Sequence, residues 1–127
     1  MHSGFRGNRH PFWRGFVFAW NGIRTVFRTE RNFKVHIFLG ISVILLGILF
    51  RIERIEWIAV SITIALVLSL EMFNTAIEKI MDYQSSDMDP RIGEIKDIAA
   101  GAVLMSAIMA AIVGGFIFIP KIINFIW

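Results

Sequence analysis

The chain has 127 residues, 56% of them apolar and 18% charged, with a mean hydropathy of +0.65, a composition that excludes an ordinary soluble domain. So much apolar sequence leaves no room for a separate soluble catalytic domain or a large transporter. With no cysteine there are no disulfides, thiolate metal sites or cysteine nucleophiles, and a net charge of +3 gives no sign of nucleic-acid binding.

The first expected element is an amphipathic surface helix over about 11–34. Phe12, Phe16, Trp20, Ile23 and Phe27 recur at helical spacing, with Asn21, Arg24, Arg28 and Arg31 mainly on the other side. Glu30 departs from this pattern, because its spacing from Ile23 and Phe27 puts a carboxylate on the apolar face. Apolar stretches follow at about 35–50, 57–81 and 98–119. They read as membrane-crossing helices, since no period-2 alternation suggests strands and a crossing chain must satisfy its own backbone. At ~1.5 Å per residue they measure about 24, 37 and 33 Å, so the first spans only if Lys34 and Arg51 snorkel at its ends. Residues 51–56 form a hairpin loop, and 82–97 a longer polar connection. The expected fold is an all-α membrane protein, a surface helix plus three transmembrane helices in one integral-membrane domain.

Charge sets the expected orientation. Arg6, Arg9, Arg14, Arg24, Arg28, Arg31 and Lys34 precede the first span, opposed only by Glu30, whereas the hairpin carries Arg51 and Arg54 and the C-terminal end Lys121. The positive-inside rule places the N-terminus and 82–97 in the cytoplasm and the hairpin outside. No small-residue cleavage pattern follows the first apolar run, which argues against a signal peptide.

The second span carries acids where hydrocarbon should exclude them. Glu71, Asn74, Glu78 and Asp82 fall at i, i+3, i+7 and i+11, one continuous stripe on a helix. Glu71 lies roughly 15 Å inside the cytoplasmic end of the expected span, and an acid near a span's centre costs about 2.5–3.5 kcal/mol. A helix that merely continued into water would explain Asp82 but not Glu71. Lys96 and Asp97 open the third span, where the cytoplasmic ends of the second and third must meet. The third span is rich in Ala and Gly, which permit close helix approach.

No Walker A loop, Rossmann glycine pattern, Ser-His-Asp arrangement or His-x-x-x-His pair is present. Carboxylates of this kind suit a hard ion such as Mg²⁺, which commonly takes one or two of them plus substrate phosphates. A desolvated glutamate can also serve as a general base. Metal, lysine and base together fit phosphoryl transfer to an alcohol at membrane depth. A proton or ion pathway is the alternative from a different class, but residues 58–70 offer it only Ser61, Thr63 and Ser69.

Glu71-Met-Phe-Asn74-Thr-Ala-Ile-Glu78, then Asp82, then Lys96-Asp97-Ile-Ala-Ala-Gly101, closely resembles the prokaryotic diacylglycerol kinase family, which includes an undecaprenol kinase branch. The resemblance runs from about Trp20 to Gly115. It implies a three-span ATP-dependent lipid kinase with a surface helix, usually a homotrimer with active sites between subunits. By the same resemblance Glu71 matches the catalytic base, and Glu30 and Glu78 match the pair that holds Mg²⁺ on the nucleotide phosphates. Asn74, Asp82, Lys96 and Asp97 match positions lining the ATP site. The loop at 87–89 departs from the family, with Met88-Asp89 where Tyr-His is common, and the arginines before Trp20 find no counterpart.

Glu30-Arg-Asn-Phe-Lys-Val-His36 resembles the undecaprenol kinase branch, where histidine is common at the position of His36. Undecaprenol is therefore the favoured acceptor and diacylglycerol the alternative. Taken alone, a histidine at a membrane boundary reads as an interfacial residue. Lipid access must be lateral, and Trp20, Phe27 and Phe33 are expected to wall a groove between the surface helix and the spans beside Glu71.

Overall fold

The computed structural model describes residues 11–84 and 89–127. Among them are four helices and no strand: α1 (Phe12–Thr29), α2 (Arg31–Leu49), α3 (Arg54–Gln84) and α4 (Pro90–Ile126). Among the described residues α2, α3 and α4 are long and apolar enough to cross a membrane. The protein is a multi-pass helical membrane protein, as its composition requires.

The surface helix is shorter than expected and stops at Thr29. Glu30 is extended (φ −107°, ψ 112°), ends α1 with its N–H on Val26 O, and begins α2. Residues 31–34 therefore belong to α2, because a single extended residue reverses the register without a proline or glycine to announce it. The apolar stripe of α1 stays exposed, Phe12, Phe16, Trp20 and Phe27 included, as suits a helix lying in an interface. Lys34 Nζ sits 5.9 Å from the Phe27 ring centroid and ties the stripe to the first turn of α2.

The α2–α3 hairpin is closed by a Schellman turn. Ile52 N–H donates to Gly47 O (3.1 Å) and Arg51 N–H to Ile48 O (3.3 Å), with Arg51 at φ 52°. Gly47 is required by close approach, since a Cβ there would stand 2.7 Å from Trp57 Cη2. Around this turn lies the core, in which Ile52, Val60, Ile117 and Phe118 pack with Phe50, Trp57 and Val113. Phe50 meets the rings of Phe118 and Phe125 edge-on, and Lys121 Nζ pairs with Glu56 Oε2 at 3.2 Å. These contacts carry α4 through Pro120 to Ile126, beyond the end expected at 119; a membrane helix tolerates such a proline where packing holds its neighbours.

α4 also starts early, at Pro90 rather than 98. Asp89 caps it, its Oδ1 accepting from Arg91 N–H at 3.0 Å, with proline in the first turn. α3 likewise runs past 81 to Gln84 and is about 46 Å long, against ~30 Å of hydrocarbon, so its polar stripe lies at one end. α3 packs most extensively on α4, next on α2, with α1 touching α2 and α3. The bundle is thus sealed by an aromatic core at the hairpin end and carries the Glu71–Asp82 stripe at the other.

Candidate active site

Glu71 is 3% exposed on α3, with Asn74 and Thr75 buried beside it. It follows Trp57 by fourteen residues, about 21 Å along the helix. Thr75 Oγ1 donates to Glu71 O at 3.1 Å, which satisfies that buried hydroxyl within the helix. The ionisable groups near the Glu71 carboxylate include His36 of α2, Glu78 of α3 and Glu30 at the α1–α2 corner. His36 Nε2 lies 3.9 Å from Glu71 Oε2, an electrostatic contact just beyond hydrogen-bond distance.

Asn74 Nδ2 donates to Glu78 Oε1 at 3.4 Å. Its Oδ1 is buried and has no hydrogen-bond partner among the described residues, an arrangement that costs free energy until a ligand supplies one. Glu30 is half-buried and makes no capping hydrogen bond to α2, so its carboxylate is not committed to the helix end. Glu30, Glu78 and Asn74 thus offer oxygen donors beside Glu71. Among the described residues no three His, Asp or Glu side chains converge as a cage that would hold a metal alone. The donor set suits an ion that completes its shell with ligand oxygens, as Mg²⁺ does on phosphates.

Further along the polar end, Lys96 Nζ of α4 contacts Asp82 Oδ1 of α3 at 2.6 Å. The pair joins the ends of the second and third spans, as their spacing implies. Asp97, next to Lys96 on α4, is exposed. The candidate residues therefore fall into an inner group of Glu71, Glu78, Glu30 and Asn74 and an outer pair of Asp82 and Lys96, with Asp97 following Lys96 in sequence. Asp89 has a structural duty. Arg91 Nε and Nη2 donate to its carboxylate at 2.8–3.2 Å, and these bonds hold its carboxyl below the usual range. Asp87 and Met88, like Arg6 and Arg9, lie outside the described residues.

An apolar groove of about 290 Å³ opens between α2, α3 and α4. It starts at His36, passes Val67 and Leu68 one turn before Glu71, and ends against Val60 and Val113 of the hairpin core. Gly40, Ala107, Ala110, Ala111 and Gly114 supply its small side chains. None of Trp20, Phe27 and Phe33 lines it. Trp20 and Phe27 remain exposed on α1, and Phe33 is packed away at 2% exposure. The apolar path to Glu71 is left by small residues on α4, which do not fill the angle between the spans. His36, an interfacial residue by sequence alone, is where groove and carboxylate meet.

Fold and site define a small polytopic helical membrane protein with a carboxylate-lined centre at one end of its bundle. The prokaryotic diacylglycerol kinase family model matches residues 17–118. A Synechocystis sp. protein named diacylglycerol kinase is 40% identical over 110 residues, 86% of this chain and 63% of the relative. A Bacillus subtilis protein named undecaprenol kinase is 38% identical over 117 residues, 92% of this chain and 95% of the relative. An Escherichia coli diacylglycerol kinase is 28% identical over 98 residues, 75% of this chain and 78% of the relative. The chain spans just under two thirds of the Synechocystis relative and nearly all of the Bacillus one. It belongs to the prokaryotic diacylglycerol kinase family, whose name denotes phosphoryl transfer to a lipid alcohol.

Proposed function

We propose that the protein is an ATP-dependent kinase of a membrane lipid alcohol, with undecaprenol the acceptor and undecaprenyl phosphate the product. The observation that carries this is the position of Glu71, a buried carboxylate with an apolar groove on one side and the oxygens of Glu30, Glu78 and Asn74 on the other. Glu71 takes the proton of the acceptor hydroxyl as that oxygen bonds to the γ-phosphorus and the bond to the departing ADP oxygen breaks. Glu30 and Glu78, with Asn74 Oδ1, would hold Mg²⁺. When bound, the ion neutralises charge on the phosphates. Lys96, held by Asp82, supplies positive charge at the nucleotide end.

Charge asymmetry supports a cytoplasmic N-terminus, which puts the acid-bearing end on the side where ATP is found. The family resemblance supports a homotrimer in the cell membrane. Undecaprenol is favoured by the Bacillus relative, which matches over 92% of this chain and 95% of its own length. Diacylglycerol is the second reading, on the Synechocystis relative's name and identity. Transfer of labelled γ-phosphate in bilayers containing both lipids decides between them by which product forms first at equal concentration.

A further inference from the structure

α1 buries a single residue against the bundle, Val26, and at about 100° per residue the other side chains can be placed round the helix from that contact. Phe12, Phe16, Trp20, Ile23 and Phe27 lie about 40–120° from Val26, exposed on the quadrant that meets hydrocarbon in an interfacial helix. Arg14, Asn21, Arg24 and Arg28 are exposed about 160–240° from Val26, on the flank opposite the bundle and next to the apolar quadrant. An interfacial helix holds such a flank at the level of the lipid headgroups.

That flank carries charge without counter-charge. Glu30 is the only acid between 12 and 34, and it is half-buried near Glu71, away from the arginines. Arg24 and Arg28 form no ion pair among the described residues. They stand one turn apart, a spacing at which like charges destabilise a helix. The neighbouring hydroxyls do not help, since Thr25 and Thr29 donate back to Asn21 O and Thr25 O at 2.8 and 2.9 Å. A phosphate between the two guanidinium groups removes the repulsion and accepts paired hydrogen bonds from them.

We propose that the arginine flank of α1 is a docking surface for anionic lipid headgroups, which it selects over zwitterionic ones from the bilayer beside the bundle. The occupant is a lipid and not a soluble anion, because the apolar stripe of the same helix fixes the arginines at headgroup depth. Arg14 and Arg28 are about 21 Å apart along the helix, so the row runs past more than one headgroup. Each basic residue at an anionic surface is worth roughly fivefold in partition. Headgroup docking is independent of which alcohol the active site phosphorylates.

The test uses the full chain in nanodiscs of phosphatidylcholine and phosphatidylglycerol, with one lipid or the other brominated in its acyl chains to quench nearby tryptophan. Trp13 and Trp20 report from α1, while Trp57 and Trp127 at the hairpin end are the reference, isolated in a Trp13→Phe/Trp20→Phe variant. At low salt the α1 tryptophans are expected to favour brominated phosphatidylglycerol by about threefold or more. The preference should fall toward unity at about 0.5 M salt, as the charges are screened. Arg24→Gln/Arg28→Gln is expected to lose most of the preference, and Arg24→Lys/Arg28→Lys to keep it. Equal quenching by the two lipids at low salt, or a preference unchanged in the glutamine variant, would overturn the docking surface. α1 tryptophans reached by neither brominated lipid would show the flank covered by protein, such as a second copy of the chain, and would contradict it as well.

Discussion

His36 Nε2 of α2 stands 3.9 Å from Glu71 Oε2 of α3, so an imidazole, a buried carboxylate and the mouth of an apolar groove share one place. His36 is the more exposed partner, at 21% for its side chain against 4% for Glu71. If Glu71 is the base proposed above, His36 is placed to orient its carboxylate toward the acceptor hydroxyl. His36→Leu should lower kcat about ten- to hundredfold, the scale of a small misplacement of a reacting group, with ATP affinity little changed. His36→Gln, which keeps a polar group at the rim, should recover part of the loss. Equal kcat in the parent and in His36→Leu would remove the histidine from the mechanism.

Glu30 and Glu78 reach Glu71 from different elements, one from the corner between two helices and one from two turns along α3. If they hold Mg²⁺, Glu30→Gln and Glu78→Gln should each raise the Mg²⁺ concentration needed for half-maximal nucleotide binding, because each removes a charged oxygen from a set that has few. Isothermal titration of Mg·ATP measures this without turnover. Unchanged Mg²⁺ dependence in both variants would reassign the pair.

The hairpin makes a prediction about stability alone. Arg51 occupies the left-handed region at φ 52°, where glycine avoids the Cβ penalty of about 1–2 kcal/mol. Arg51→Gly should therefore raise the unfolding midpoint in detergent. Gly47→Ala should lower it, by an overpacking cost of about 1–3 kcal/mol, since its Cβ would stand 2.7 Å from Trp57. The reverse order of midpoints would mean that the Schellman turn does not govern hairpin stability.

What the sequence makes legible is whatever lies within one helix or between segments forced together by short loops. Helical spacing alone aligns Glu71, Asn74 and Glu78, and the Asn74–Glu78 contact follows from it. The pairing of Lys96 with Asp82 follows from two spans meeting at one membrane face. The break at Glu30 is marked only by a carboxylate at an apolar position, which does not by itself tell a helix end from a buried acid, since no proline or glycine accompanies it. The start of α4 was visible in Asp89-Pro90, a cap followed by a first-turn proline, but hydropathy places the boundary eight residues later. His36 and the groove depend on how α2 packs against α3 and α4, a tertiary relation that no spacing within one helix encodes.

Whether Glu71 removes the proton of a lipid hydroxyl during phosphoryl transfer is decided by transfer of labelled γ-phosphate to undecaprenol, measured for the purified chain and its Glu71→Gln variant in one bilayer preparation. Labelled undecaprenyl phosphate is expected from the parent. Turnover ~10²-fold slower or more is expected from the variant, on the scale of lost general-base catalysis, with Mg·ATP still bound and the melting temperature within a few degrees. Turnover in the variant within a few-fold of the parent would contradict that role for Glu71.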